Sequence, residues 1–113
     1  MTKKLDANDI KKIIENLKTA KNIIKDIPHS KIDIEIENRT ADTINISDFL
    51  VEAESSINDI IDKLHAIISD IYINAVDERE RYPENSMHPK ALWLDEVQLT
   101  ADVLRTHAHN ASG

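Results

Sequence analysis

One apolar stripe constrains this chain more than any other feature. Between Phe49 and Tyr82 apolar residues return at helical spacing: Leu50, Ala53, Ile57, Ile60, Ile61, Leu64, Ile67, Ile68, Ile71 and Ala75. Ile57, Leu64 and Ile71 recur every seven residues, as do the pairs Ile60/Ile67 and Ile61/Ile68. The spacing predicts an amphipathic helix of roughly nine turns, about 50 Å long at about 1.5 Å per residue. In a chain of 113 residues, a stripe of that length needs partners along most of it. The pattern therefore points to assembly and binding rather than to catalysis.

The remaining elements arrange themselves around this helix. A first helix is expected over about 6–27. Asp6 is its cap, Asp9 sits three residues on, and Ile10, Ile13, Ile14, Leu17, Ala20, Ile24 and Ile27 make one face. Pro28 stops it, because the residue before proline is driven out of the helical region. The strict alternation Lys31-Ile32-Asp33-Ile34-Glu35-Ile36-Glu37, echoed by Thr43-Ile44-Asn45-Ile46, predicts a β-hairpin over about 31–46. Its loop is expected at Asn38–Asp42, with isoleucines on one face and acids on the other. Ser47 is expected to cap the long helix, which runs over about 48–81. Tyr82–His88 connects it to a third helix over about 89–107, opened by Pro89. That helix has two apolar sides: Trp93, Leu94, Val97, Ala101, Leu104 and Ala108 on one, and Leu92, Leu99 and Val103 on the other. A surface helix carries one stripe. The second side is therefore either an oligomer or partner contact, or is covered by the first helix or the hairpin.

Composition removes several function classes. The chain has no cysteine, which excludes disulfides, thiolate metal sites and cysteine nucleophiles. Its one glycine is Gly113, so the glycine-dependent phosphate loops and the Gly-x-Ser-x-Gly elbow are missing. No apolar run approaches the about 20 residues of a membrane span. The start is basic, but Asp6, Asn8, Asp9, Lys11 and Lys12 stand where a signal peptide would be apolar, which argues against secretion. Abundant isoleucine, lysine and asparagine suggest an AT-rich coding source, bacterial or phage.

Charge is unevenly spread. Residues 1–31 carry a net +4 and the remainder -11, giving -7 in all. Lys4, Lys11, Lys18 and Lys25 form a ridge on the first helix, widened by Lys12 and Lys21. Such a ridge can attract nucleic acid. Against that stand the lack of arginine for base edges, the lack of aromatics for stacking, and the acidic remainder. The acids Asp33, Glu35 and Glu37 on one strand face, and Asp59, Asp62, Asp70 and Asp77 on the long helix, suit a basic protein partner instead.

Signals for chemistry are weak. Asp62 and His65 have the carboxylate-x-x-His spacing that helical di-metal sites use, but no second such motif occurs. His107 and His109 are two apart and point away from each other on a helix. The tract Asp77–Pro83 mixes signs like a solvated helix end. Tyr82, His88 and Trp93 gather the aromatic and imidazole groups near the connector and are the candidate ligand contacts.

The expected fold is mainly α with a small β-hairpin, an α+β single domain packed as a helical hairpin or bundle. The expected function is a non-enzymatic, acidic, cytoplasmic protein-binding module, homo-oligomeric and dimeric by preference. It would act as a regulator or inhibitor of the immunity or anti-defence type. Candidate partner contacts are Asp33, Glu35, Glu37, Leu92, Leu99, Val103, Lys11 and Lys18. No cofactor or metal is expected. The alternatives are a nucleotide-like ligand bound at an oligomer interface, and a helical metalloenzyme built on Asp62 and His65.

Overall fold

The computed structural model describes residues 4–112. Five elements follow in order: α1 (Ala7–Asp26), β1 (Lys31–Ile36), β2 (Arg39–Asn45), α2 (Ile46–Arg79) and α3 (Pro89–Ser112). The fold is the expected helix, hairpin, long helix, connector and helix.

Helix α1 starts as its sequence dictates. Asp6 accepts the Asp9 N–H at 2.9 Å, and the Asp9 carboxylate accepts the Asp6 N–H at 3.2 Å, a reciprocal capping box. Beyond α1, the His29 ring donates to the Ile24 carbonyl at 3.2 Å, holding the chain as it turns toward β1.

The hairpin is tighter than expected. Its turn is the two-residue Glu37-Asn38, with φ of 53° and 62°, and Arg39 already pairs with Ile36. Positive φ at both central residues is the turn whose twist matches that of the strands. The extra residue of the expected loop becomes a bulge instead: Ile34 faces Asp42 and Glu35 faces Thr40, leaving Ala41 unpaired.

Strand β2 runs directly into α2. Asn45 still pairs with Lys31, and it is the N-cap residue, but it makes no side-chain cap bond. The Ile46 N–H is satisfied by the Ser30 carbonyl at 3.3 Å. Ser47 is therefore not the cap; it lies inside the first turn, because no loop separates strand from helix.

Helices α2 and α3 are antiparallel. Arg79 meets Asp95 and Glu78 meets Lys90 at one end, while His65 lies near His109 at the other. Helix α3 runs five residues past its expected end, since no helix breaker intervenes, and Ala108 and Ala111 are buried there. His107 and His109 therefore both lie within the helix, His109 in its last turn. Helix α1 lies across the pair, antiparallel to α2. Its start is near Ile68 and Leu104; near its end Lys25 pairs with Glu54, and Lys21 donates to the Ser112 carbonyl at 3.4 Å. The core is Ile14, Ile61, Ile68, Ala101, Leu104, Ala108 and Ala111, with Leu94 and Ala75 buried nearer the connector.

The molecule is a rod of 75 × 25 × 22 Å with a radius of gyration of 21.2 Å. A compact chain of this length would have a radius of about 13 Å. Helix α2 accounts for about 51 Å of the rod, and the hairpin projects beyond its start. Among the described residues, no helix is long and apolar enough to cross a membrane.

Candidate interaction surface

The long apolar stripe divides in two. Ile61 and Ile68 face α1 and α3 and are 0% and 4% exposed. Ile60 and Ile67, each one residue earlier and so turned by about 100°, remain 50% and 49% exposed. Phe49 and Ile71 lie along the same outer line and are also exposed. The sequence reading treated this as one stripe; the structure covers only half of it. The physical reason is angle: α1 runs alongside this part of α2, but Ile60 and Ile67 are turned away from both α1 and α3. Helix α1 has 20 residues against 34 in α2.

The shortness of α1 leaves a groove open. Between α2 and α3, beyond the start of α1, Ile68, Ile71, Trp93, Val97 and Ile10 enclose about 280 Å³. Trp93 is more than half exposed here, whereas its helical neighbours Leu94, Ala101 and Leu104 are buried. The expected grouping of Tyr82, His88 and Trp93 therefore separates. The Tyr82 and His88 rings lie 5.3 Å apart, but Trp93 belongs to the groove. His88 also has a local task, since its Nδ1 accepts the Lys90 N–H at 3.1 Å and caps the start of α3.

The second side of α3 is only partly sheltered. Leu92, Leu99 and Val103 are 43%, 70% and 48% exposed. Leu99 and Val103 share a shallow cleft with Ala7, Asn8 and Lys11 at the start of α1. This brings together three of the expected partner contacts; Leu92 lies outside the cleft, and Lys18 is exposed on α1. The basic ridge loses Lys21, which is 4% exposed and lies under the end of α3. There the cation faces the carbonyl end of a helix, where positive charge is favoured.

On the hairpin, Asp33 and Glu35 are exposed strand residues, and Asp33 accepts the Thr43 hydroxyl at 2.7 Å across the ladder. Glu37 does not continue their face, because it occupies the turn. The isoleucines opposite find little cover: Ile34, Ile36 and Ile44 are 43%, 63% and 39% exposed.

Arg79 is the residue that sequence reasoning missed. The side chain is 13% exposed. Its Nε donates to Asp95 at 2.9 Å, and its terminal nitrogens donate to the carbonyls of Tyr82, Pro83 and Glu84 at 3.4, 3.0 and 3.1 Å. One guanidinium thus holds the connector against α3, and the tract around it is not simply a solvated end. Beside it, the hydrogen bond from Lys90 holds the Glu78 carboxyl below the ordinary glutamate range and the Lys90 ammonium above the ordinary lysine range. Nearer the middle, the Arg105 guanidinium lies 4.3 Å over the Tyr72 ring.

The metal alternative does not assemble. His65 comes within 6.2 Å of the His109 ring, centroid to centroid, and Asp62 is exposed. Among the described residues, no three metal-ligating side chains gather. No protein-family model matches the chain, and no curated protein or solved structure matches it either.

Proposed function

We propose that the chain is a small acidic protein-binding module, non-enzymatic and cytoplasmic, that regulates or inhibits a protein partner and works as a homo-oligomer. The observation that supports this reading is uncovered apolar surface on a framed rod. The accessible surface is 8569 Å², against about 6,300 Å² for a compact monomer of this mass. An elongated shape exposes more surface, and on it large apolar side chains stand in rows, Phe49, Ile60 and Ile67 on α2 and Ile34, Ile36 and Ile44 on the hairpin; contiguous apolar surface marks interaction sites. Acids beside these rows, including Asp33 and Glu35 on the hairpin, favour a basic partner and would steer its approach.

Affinity capture with the wild-type chain and with a Glu35→Lys, Asp33→Lys variant tests this reading. A partner held by the wild type, lost as salt rises and lost in the variant, is the expected result. Capture that ignores both changes contradicts the charge-steered reading. A second reading, a small-ligand protein, rests on the groove at Trp93. Glu96 is the charged residue lining it, so it suits an apolar or cationic molecule better than the nucleotide-like ligand expected from sequence.

A further inference from the structure

We infer that the groove at Trp93 is a binding site for a small organic cation with an apolar body, held between the Trp93 indole and the Glu96 carboxylate. This goes beyond the protein-binding reading. It rests on the second reading, the small-ligand one, and deepens it by naming the class of ligand.

Shape comes first. The groove is a cavity of about 280 Å³ rather than a flat patch, close to the lower end of the range for small-molecule sites, about 300–1,000 Å³. At about 30 Å³ for a group the size of water, it takes a body of roughly nine non-hydrogen atoms, such as one aromatic ring with a short arm. Three helices wall it: Ile10 comes from α1, Ile68 and Ile71 from α2, and Trp93, Glu96 and Thr100 from α3. Because Ile10 belongs to the start of α1, that helix stops the groove at one end. A compact occupant fits such a space better than an extended chain.

Chemistry then divides the lining. The three isoleucines offer only hydrocarbon. On α3, Trp93, Glu96 and Thr100 follow one another at three and four residues and so lie along one side of the helix. They set an indole, a carboxylate and a hydroxyl in succession along one edge of the cavity. Trp93 is 55% exposed, so the indole has surface free to cover a ligand. A cation within about 6 Å of an indole face is attracted by the ring, and a carboxylate accepts a charge-assisted hydrogen bond from an ammonium. Among the described residues, Glu96 has no ion-pair partner. Neither nearby lysine answers it: Lys90 is paired with Glu78 at 2.8 Å, and Lys11 lines the neighbouring cleft beside Leu99. An anion would meet Glu96 with no compensating charge, and a neutral molecule would leave the carboxylate to water. The edge therefore selects a cationic head, and the isoleucine wall an apolar body.

Trp93 is the single tryptophan of the chain, so its emission reports on this groove. The wild type is titrated with 2-phenylethylammonium, 2-phenylethanol and phenylacetate, which share a ring and differ in charge. The expected result is a saturable change in emission, with the cation bound about fivefold to tenfold tighter than the alcohol and phenylacetate weakest. In Glu96→Gln, a change at an exposed position, the cation should fall to within about twofold of the alcohol, whose own binding stays as in the wild type. Equal binding of all three probes would overturn the inference and leave the small-ligand reading standing, with an apolar ligand. Tighter binding of phenylacetate, or a preference for the cation that survives Glu96→Gln, would overturn it as well. No response to any probe, with circular dichroism showing intact helices, would sink both the inference and the small-ligand reading.

Discussion

At the scale of single residues, Ile60 and Ile61 carry the contrast on which the molecule depends. Ile61 is fully buried between three helices, and Ile60 stands half in solvent. Truncating Ile61 to alanine removes buried methyl groups and leaves a cavity, so it should cost about 2–5 kcal/mol. Ile60→Ala should change the stability of the isolated chain by no more than about 0.5 kcal/mol. Urea melts in dilute solution check this, and equal losses at the two positions would contradict the packing. The sequence could not distinguish them. Both recur with a period of seven, and the choice is made by where α1 and α3 lie. Arg79 shows the same limit. Its charge is plain in the sequence, but the three carbonyls it gathers are assembled only when the connector folds back.

At the scale of elements, legibility followed local chemistry. The Asp6/Asp9 box, the stop before Pro28 and the alternation of β1 all reside in a few consecutive residues, and all appear where expected. The errors arose where one element is set by another. Without an Asn-Gly pair the turn looked like a five-residue loop. The ladder instead draws Glu37 and Asn38 into positive φ and expels Ala41 as a bulge. Ser47 looked like a cap because the direct passage of β2 into α2 has no sequence signature. Of the candidate site, the exposure of Leu92, Leu99 and Val103 was foreseen as one of two outcomes. The groove at Trp93 was not, since it exists only because α1 starts short of the connector end of α2 and α3.

The α2–α3 junction also has a pH signature. Its Glu78–Lys90 pair joins the end of one helix to the start of the other at 2.8 Å. Glu78 titrates below its ordinary value, so its contribution to stability is present above the ordinary glutamate range and is lost as pH falls through the depressed value. Lys90 titrates above its ordinary value, so its contribution is present below the ordinary lysine range and is lost as pH rises through the raised value. Carboxyl NMR titration should find the Glu78 midpoint moving up toward the ordinary range in Lys90→Met. An unchanged midpoint would remove the pair from the account. Both groups are well exposed, so the contribution is screened and small.

At the scale of the whole molecule, the rod is built around a helix longer than its companions. Helix α3 covers one side of α2, α1 covers part of another, and the hairpin extends past both. What remains uncovered is a line of exposed apolar residues on α2 (Phe49, Ile60 and Ile67), an apolar groove and an isoleucine face.

The most direct test of this account is the mass in solution, measured by light scattering behind size exclusion over a wide micromolar range. The wild-type chain should run at twice its 12.8 kDa. Ile60→Lys combined with Ile67→Lys should run at the monomer mass with its helical circular dichroism retained, because like charges would crowd beside Lys63 on the uncovered line of α2 and not in the core. A wild type that stays at the monomer mass throughout, or a double variant that keeps the dimer mass, would contradict it.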